Sequence, residues 1–90
     1  MQVRTMNETR SVILEMVRDQ LDLDADGFEK LSRRGRLDEL TAVDSLLMVD
    51  LVVSLEERFS IRFEPDDIDA ELMGDITRLC AFVDMARQAE

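Results

Sequence analysis

The chain predicts an all-α fold, a small four-helix bundle of three long helices and one short one. Three observations carry this. Apolar residues recur at helical spacing in three stretches, Val12 to Leu21, Leu46 to Phe59 and Ile76 to Ala86. Polar caps, glycines and the single Pro65 punctuate those stretches where helices should start and stop. Only Ile61 and Phe63 alternate with polar neighbours, in a run too short and isolated to need a sheet. Ninety residues make one domain, 1–90, with an ordered bundle over about residues 6–88 and a long loop over about residues 21–44.

Each element has a local reason. Thr5-Met6-Asn7-Glu8 fits a capping box. Behind it, Val12, Ile13, Met16, Val17 and Leu21 predict a helix over about residues 6–20. The loop that follows holds Gly27, Gly35 and scattered leucines, with one short helix expected near Phe28–Arg33. Leu31, Leu37 and Leu40 should pin it to the core. A loop this long in a small domain carries function or is anchored. The helix expected over Ser45 to Phe59 is apolar nearly all round, so it is either buried or offers a second face to a partner. Leu51, Val52, Leu55 and Phe59 should enter the core. Leu46, Val49 and Val53, beside Asp50, Glu56 and Glu57, should face outward as an apolar strip edged with acids. A fully buried helix is the alternative. Pro65 should open the short helix, with Asp66, Asp67 and Asp69 suited to its dipole, Ile68 and Leu72 facing inward and Gly74 ending it. Asp75 can cap the last helix, whose inner stripe is Ile76, Leu79, Phe82, Val83 and Ala86.

Composition narrows the function. The net charge is −10, and residues 44–71 alone hold nine acids against two bases. Phosphate backbones are repelled by such a chain, so no nucleic-acid partner is expected, whereas basic protein surfaces are steered toward it. The bland meaning of the acidity is solubility. No apolar run approaches the roughly 20 residues that span a bilayer, so no membrane role is expected, and no secretory signal is seen at the N-terminus. Cys80 is the lone cysteine, which rules out an internal disulfide and fits a cytoplasmic protein. It reads as a small core residue. Without His, zinc fingers and His-based catalytic dyads are excluded within this chain. Arg33, Arg34 and Arg36 read as counter-charge to nearby acids rather than as a docking patch. The six methionines mostly read as packing or termini, and Met48 and Met73 would soften a cleft.

One tripeptide, Asp44-Ser45-Leu46, stands at the head of the acid-edged helix. Helix N-termini present unpaired N–H groups and a partial positive charge, so a phosphodiester on Ser45 would be favourably placed. Taken alone, the tripeptide is better read as a helix cap, on Asp44 or Ser45. Its setting changes that. Asp44-Ser45-Leu46 resembles the motif of the acyl carrier protein family, including its peptidyl and aminoacyl relatives. Val49-Asp50-Leu51 and Leu55-Glu56-Glu57-Arg58-Phe59 resemble the helix that follows in the family. Ile61-Arg62-Phe63 resembles its short alternating stretch, and Asp75-Ile76 the start of its last helix. The resemblance covers about residues 8–88.

It implies a carrier and not an enzyme. Ser45 would receive a covalent 4′-phosphopantetheine arm from coenzyme A through a phosphopantetheinyl transferase. The arm's thiol would hold cargo as a thioester, supplied by an acyl- or aminoacyl-loading enzyme and delivered to synthase or transferase partners. Asp44, Leu46, Val49, Asp50, Val53, Glu56 and Glu57 would form the recognition face. Val52, Leu55, Phe63, Ile68 and Leu72 would line an acyl cleft, or simply pack the core, or both. A monomer is expected. Departures from the family pattern point to a specialised carrier (polyketide, nonribosomal peptide or another dedicated pathway) over a housekeeping fatty-acid one. Leu40-Thr41-Ala42-Val43 replaces the usual glycine before the motif. Leu47 stands where an acid is common, and the loop carries arginines.

Two rivals remain at this level. Asp22-x-Asp24-x-Asp26-Gly27 copies the first half of a calcium-binding loop. The second half fails, with Glu29 at an apolar position and Arg33 where a bidentate glutamate belongs, so no metal site is expected. The other rival is an interaction protein that keeps the fold without the arm, against which Ser45 itself argues. Carboxylates are plentiful, but no second type of catalytic partner accompanies them.

Overall fold

The computed structural model describes residues 5–88, with side chains from residue 8 onward. Five helices follow in order: α1 (Thr5–Leu21), α2 (Ala25–Arg34), α3 (Ser45–Phe59), α4 (Ala70–Met73) and α5 (Ile76–Gln88). Single 3-10 turns lie at Leu37–Glu39 and Pro65–Asp67. No strand occurs among the described residues, and none of their helices is long and apolar enough to cross a membrane. The all-α bundle is as expected, with α4 as its short member.

Helix α1 lays Ile13, Leu14 and Val17 into the core, with Met16 and Leu21 half-buried against them. The capping box expected at its start rests on Thr5 and lies outside the described side chains. Near that end the Thr9 hydroxyl donates to Asp84 Oδ1 at 2.7 Å, a buried tie between α1 and α5.

The segment expected to be mostly loop is corrected by α2, which runs ten residues instead of the short helix foreseen near Phe28–Arg33. Its ends explain its length. Asp24 Oδ1 accepts the Gly27 N–H at 2.8 Å as an N-cap. Gly35, in the left-handed region at φ 70°, closes the other end by donating its N–H to the Leu31 carbonyl at 2.8 Å. Leu31 is fully buried and anchors the helix. Arg10 Nη2 donates to the Ser32 carbonyl at 2.7 Å and ties the last turn back to α1. The Arg18 guanidinium lies over the Phe28 ring, 5.0 Å from its centroid.

After α2 the chain is sewn to the start of α5. Leu37 N–H donates to the Gly74 carbonyl and Ile76 N–H to the Gly35 carbonyl, both at 2.8 Å. Arg36 reinforces this seam through Asp38 at 2.7 Å and Asp75 at 3.3 Å. Its hydrogen bond holds the Asp38 carboxyl below the ordinary carboxylate range. Leu37 is fully buried, and Leu40 packs half-buried against the core.

The single short helix foreseen from Pro65 to Gly74 is likewise corrected. Pro65–Asp67 forms only a 3-10 turn, Ile68 is extended at ψ 99°, and α4 begins afresh behind Asp69. Asp69 Oδ1 accepts the Leu72 N–H at 2.7 Å, a cap that requires extended backbone at that residue. Asp75 Oδ1 accepts the N–H groups of Thr77 (3.0 Å) and Arg78 (3.3 Å), the cap foreseen for α5. Along α5, Ile76, Leu79, Cys80 and Val83 are buried. The Phe82 ring stacks on Phe63 with centroids 4.7 Å apart.

Candidate functional site

Helix α3 begins at Ser45 because Asp44 caps it. Asp44 is extended, at φ −93° and ψ −178°, and its Oδ1 accepts the Leu47 N–H at 2.9 Å. One of the helix's orphan donors is thereby satisfied by Asp44 and not by Ser45. Ser45, the first residue of the helix, is exposed to solvent. Its hydroxyl is thus spared the capping duty. It sits where the macrodipole and free backbone N–H groups favour an oxygen-bound phosphate.

From Ser45 the helix turns two faces in two directions. Leu51, Val52 and Leu55 are buried, and Phe59 packs half-buried against the core. On the other side Leu46 is 71% exposed, Val49 56% and Val53 48%. Four of the described chain's large apolar side chains are that exposed, and three of them form this one strip. A monomer seldom leaves such a strip in water without a use for it. Asp44, Asp50 and Glu57 are exposed around it. A fully buried α3 is excluded.

Glu56 behaves differently from the other acids. It is only half-exposed, and its Oε2 accepts the Phe63 N–H at 2.9 Å. That bond fastens the stretch after α3 onto the helix and holds Phe63 where it stacks on Phe82. The sequence carries no periodic signal for such a contact seven residues away, so this role was not foreseen. Of the five candidate cleft residues, Val52, Leu55 and Phe63 are core residues, while Ile68 and Leu72 pack half-buried against them.

One aspartate of the calcium-like segment has other work. Asp24 is the cap of α2, and Asp22 lies in the left-handed region at φ 55°. No group of three or more His, Cys, Asp or Glu is arranged to hold a metal ion among the described residues. The arginines divide: Arg34 donates to Glu39 at 2.6 Å and Arg36 pairs with Asp38 and Asp75, as counter-charge was expected to do. Arg33 makes no ion pair among the described residues. Cys80 is buried in the core as expected, and burial pushes its thiol up to about 11.

A family model described as phosphopantetheine attachment site matches residues 11–83, which include α2, α3, α4 and most of α1 and α5. No curated protein and no solved structure matches the chain.

Proposed function

Because the chain belongs to the phosphopantetheine attachment family over residues 11–83, we propose that Ser45 is the attachment residue and that the chain shuttles acyl or aminoacyl cargo within a specialised biosynthetic pathway. Family membership makes this a carrier domain and not a catalyst, with a covalent 4′-phosphopantetheine and enzymes as its partners. When attached, the arm supplies a thiol that holds cargo as a thioester.

The observation that carries the assignment is the division of labour at the head of α3. Asp44 makes the cap, and Ser45 stands exposed beside it with its oxygen uncommitted to the helix. Attachment would join Ser45 Oγ to the arm's phosphorus, with the pyrophosphate P–O bond of coenzyme A breaking, adenosine 3′,5′-bisphosphate leaving and the hydroxyl proton passing to a base of the transferase. Residues around Ser45 serve recognition: Leu46, Val49 and Val53 offer an apolar strip, and Asp44, Asp50 and Glu57 surround it with negative charge. An apolar centre with a charged rim suits a docking partner that must bind, react and leave. A tethered thiol then raises the effective concentration of cargo at whichever active site is docked. The loop arginines and Leu47 favour a dedicated pathway over primary fatty-acid synthesis.

The test is incubation with coenzyme A and a broad-specificity phosphopantetheinyl transferase, read by intact mass. Wild type should gain one phosphopantetheine and Ser45→Ala none. Modification of the alanine variant, or none of wild type, overturns the assignment.

A further inference from the structure

On this strongly acidic chain one cleft is basic. It has a volume of about 320 Å³ and is lined by Lys30, Arg33, Arg34, Arg36, Glu39 and Leu40. Four cations and one acid line it, against a net charge of −10 for the whole chain. Two of the cations have structural employment. Arg34 is held by Glu39, and Arg36 by Asp38 and Asp75. Lys30 and Arg33 have none: both are exposed and neither makes an ion pair among the described residues, although Asp26 and Glu29 stand one turn before them. Arg33 and Arg34 also suit the negative end of the α2 dipole. That accounts for the last turn but not for Lys30, which lies a turn earlier.

We infer that this cleft is a second docking surface, for an acidic segment of a partner protein. Lys30 and Arg33 are three residues apart on one helix, so they are neighbours on one face with Cβ atoms roughly 5–6 Å apart. Arg34 and Arg36 are turned to their own carboxylates. Lys30 and Arg33 are therefore the free donors, side by side along the helix face. They suit carboxylates strung along a peptide, with an apolar side chain between them set against Leu40. Electrostatic orientation follows. The acidic segment 44–71 repels such a peptide, so the field favours its approach to the basic cleft. The surface owes nothing to Ser45 or its arm.

The experiment uses the full chain without its arm and a fluorescent peptide of Glu residues interspersed with Leu, followed by anisotropy at low salt. Wild type should bind. Lys30→Glu combined with Arg33→Glu should weaken binding about tenfold or more, with only a small fall in melting temperature, since both side chains are exposed and only the α2 dipole and its i,i+4 charges are disturbed. Arg58→Glu combined with Arg62→Glu, the same charge change outside the cleft, should leave binding within about twofold of wild type. Added salt should weaken binding. The proposal fails if wild type does not bind, or if both double variants lose binding equally. It fails also if inorganic phosphate displaces the peptide where chloride of equal ionic strength does not, which would make the cleft a small-anion site.

Discussion

At the scale of single residues, the head of α3 gives the capping duty to one of two neighbours and leaves the other exposed. Asp44 holds α3 and Ser45 is left over, and this makes opposite predictions for two adjacent substitutions. Asp44→Ala removes the cap and should cost about 0.5–2 kcal/mol in denaturant unfolding. Ser45→Ala should change stability by less than about 0.5 kcal/mol, as an exposed substitution that breaks no cap, while abolishing arm attachment in the mass assay. A Ser45→Ala variant as unstable as Asp44→Ala would show that Ser45 supports the helix after all. From sequence either residue of the pair was an acceptable cap. Only the backbone geometry at Asp44 separates them. Cys80 gives a second residue-scale prediction. Its thiol titrates near 9 when unfolded and is pushed by burial up to about 11 in the fold. The native state therefore holds the proton more tightly. This contribution to stability is complete below pH 9 and is lost as the pH rises toward 11. At neutral pH the arm-free protein should resist maleimide, because a buried neutral thiol is a poor nucleophile. Attachment of the arm should then create one fast-reacting thiol, countable by mass. Rapid labelling of the folded, arm-free chain would contradict the burial.

At the scale of elements, the ends of helices decide what moves and what is fixed. Gly35 ends α2 with a left-handed turn, and a Cβ there would approach Thr77 Oγ1 to 3.3 Å. Gly35→Ala should destabilise the chain by about 1 kcal/mol or more, through the strained φ alone. An unchanged denaturation midpoint would mean that the seam between α2 and α5 relaxes freely. These same ends show what the sequence made legible. Strong periodicity placed α1 and α3 to within a residue or two and supplied the inner stripe of α5, and Asp75 was correctly read as the cap of α5. The length of α2 was hidden because Asp24 and Gly27 looked like half of a calcium loop, when Asp24 is a cap and Gly27 its third residue. The break at Ile68 was hidden because Asp66, Asp67 and Asp69 all suit a helix start, and only the fold chooses Asp69. The outward face of α3 was legible, since three apolar residues exceeded what one buried stripe can hold. The inward turn of Glu56 was not. It depends on where the chain returns after Phe59. Glu56→Ala leaves the Phe63 N–H unpaired and should cost about 1–3 kcal/mol, whereas Glu56→Gln keeps an acceptor and should cost less. Thermal melts of the two variants would separate the bond from the charge.

At the scale of the molecule, charge is segregated, and the segregation sets how the carrier meets its partners. Residues 44–71 carry a local charge of −7, and the acids that surround the exposed strip on α3 belong to that segment. A field of this kind accelerates encounter with basic surfaces more than it tightens the final complex. Glu56 is the wrong residue on which to test this, because its carboxylate also fastens Phe63. Asp50 and Glu57 are both exposed, and neither makes an ion pair among the described residues. Reversing both to lysine should therefore slow arm attachment by a broad-specificity transferase about tenfold at low ionic strength, with little change in the melting temperature. The difference between variant and wild type should shrink as salt is raised, because exposed charges are screened over about 8 Å at physiological ionic strength. A loss that persists at high salt would assign these acids to direct contacts instead of steering. Equal rates at low salt would mean that the transferase reads only the apolar strip of Leu46, Val49 and Val53, and that the acidity of α3 serves solubility alone.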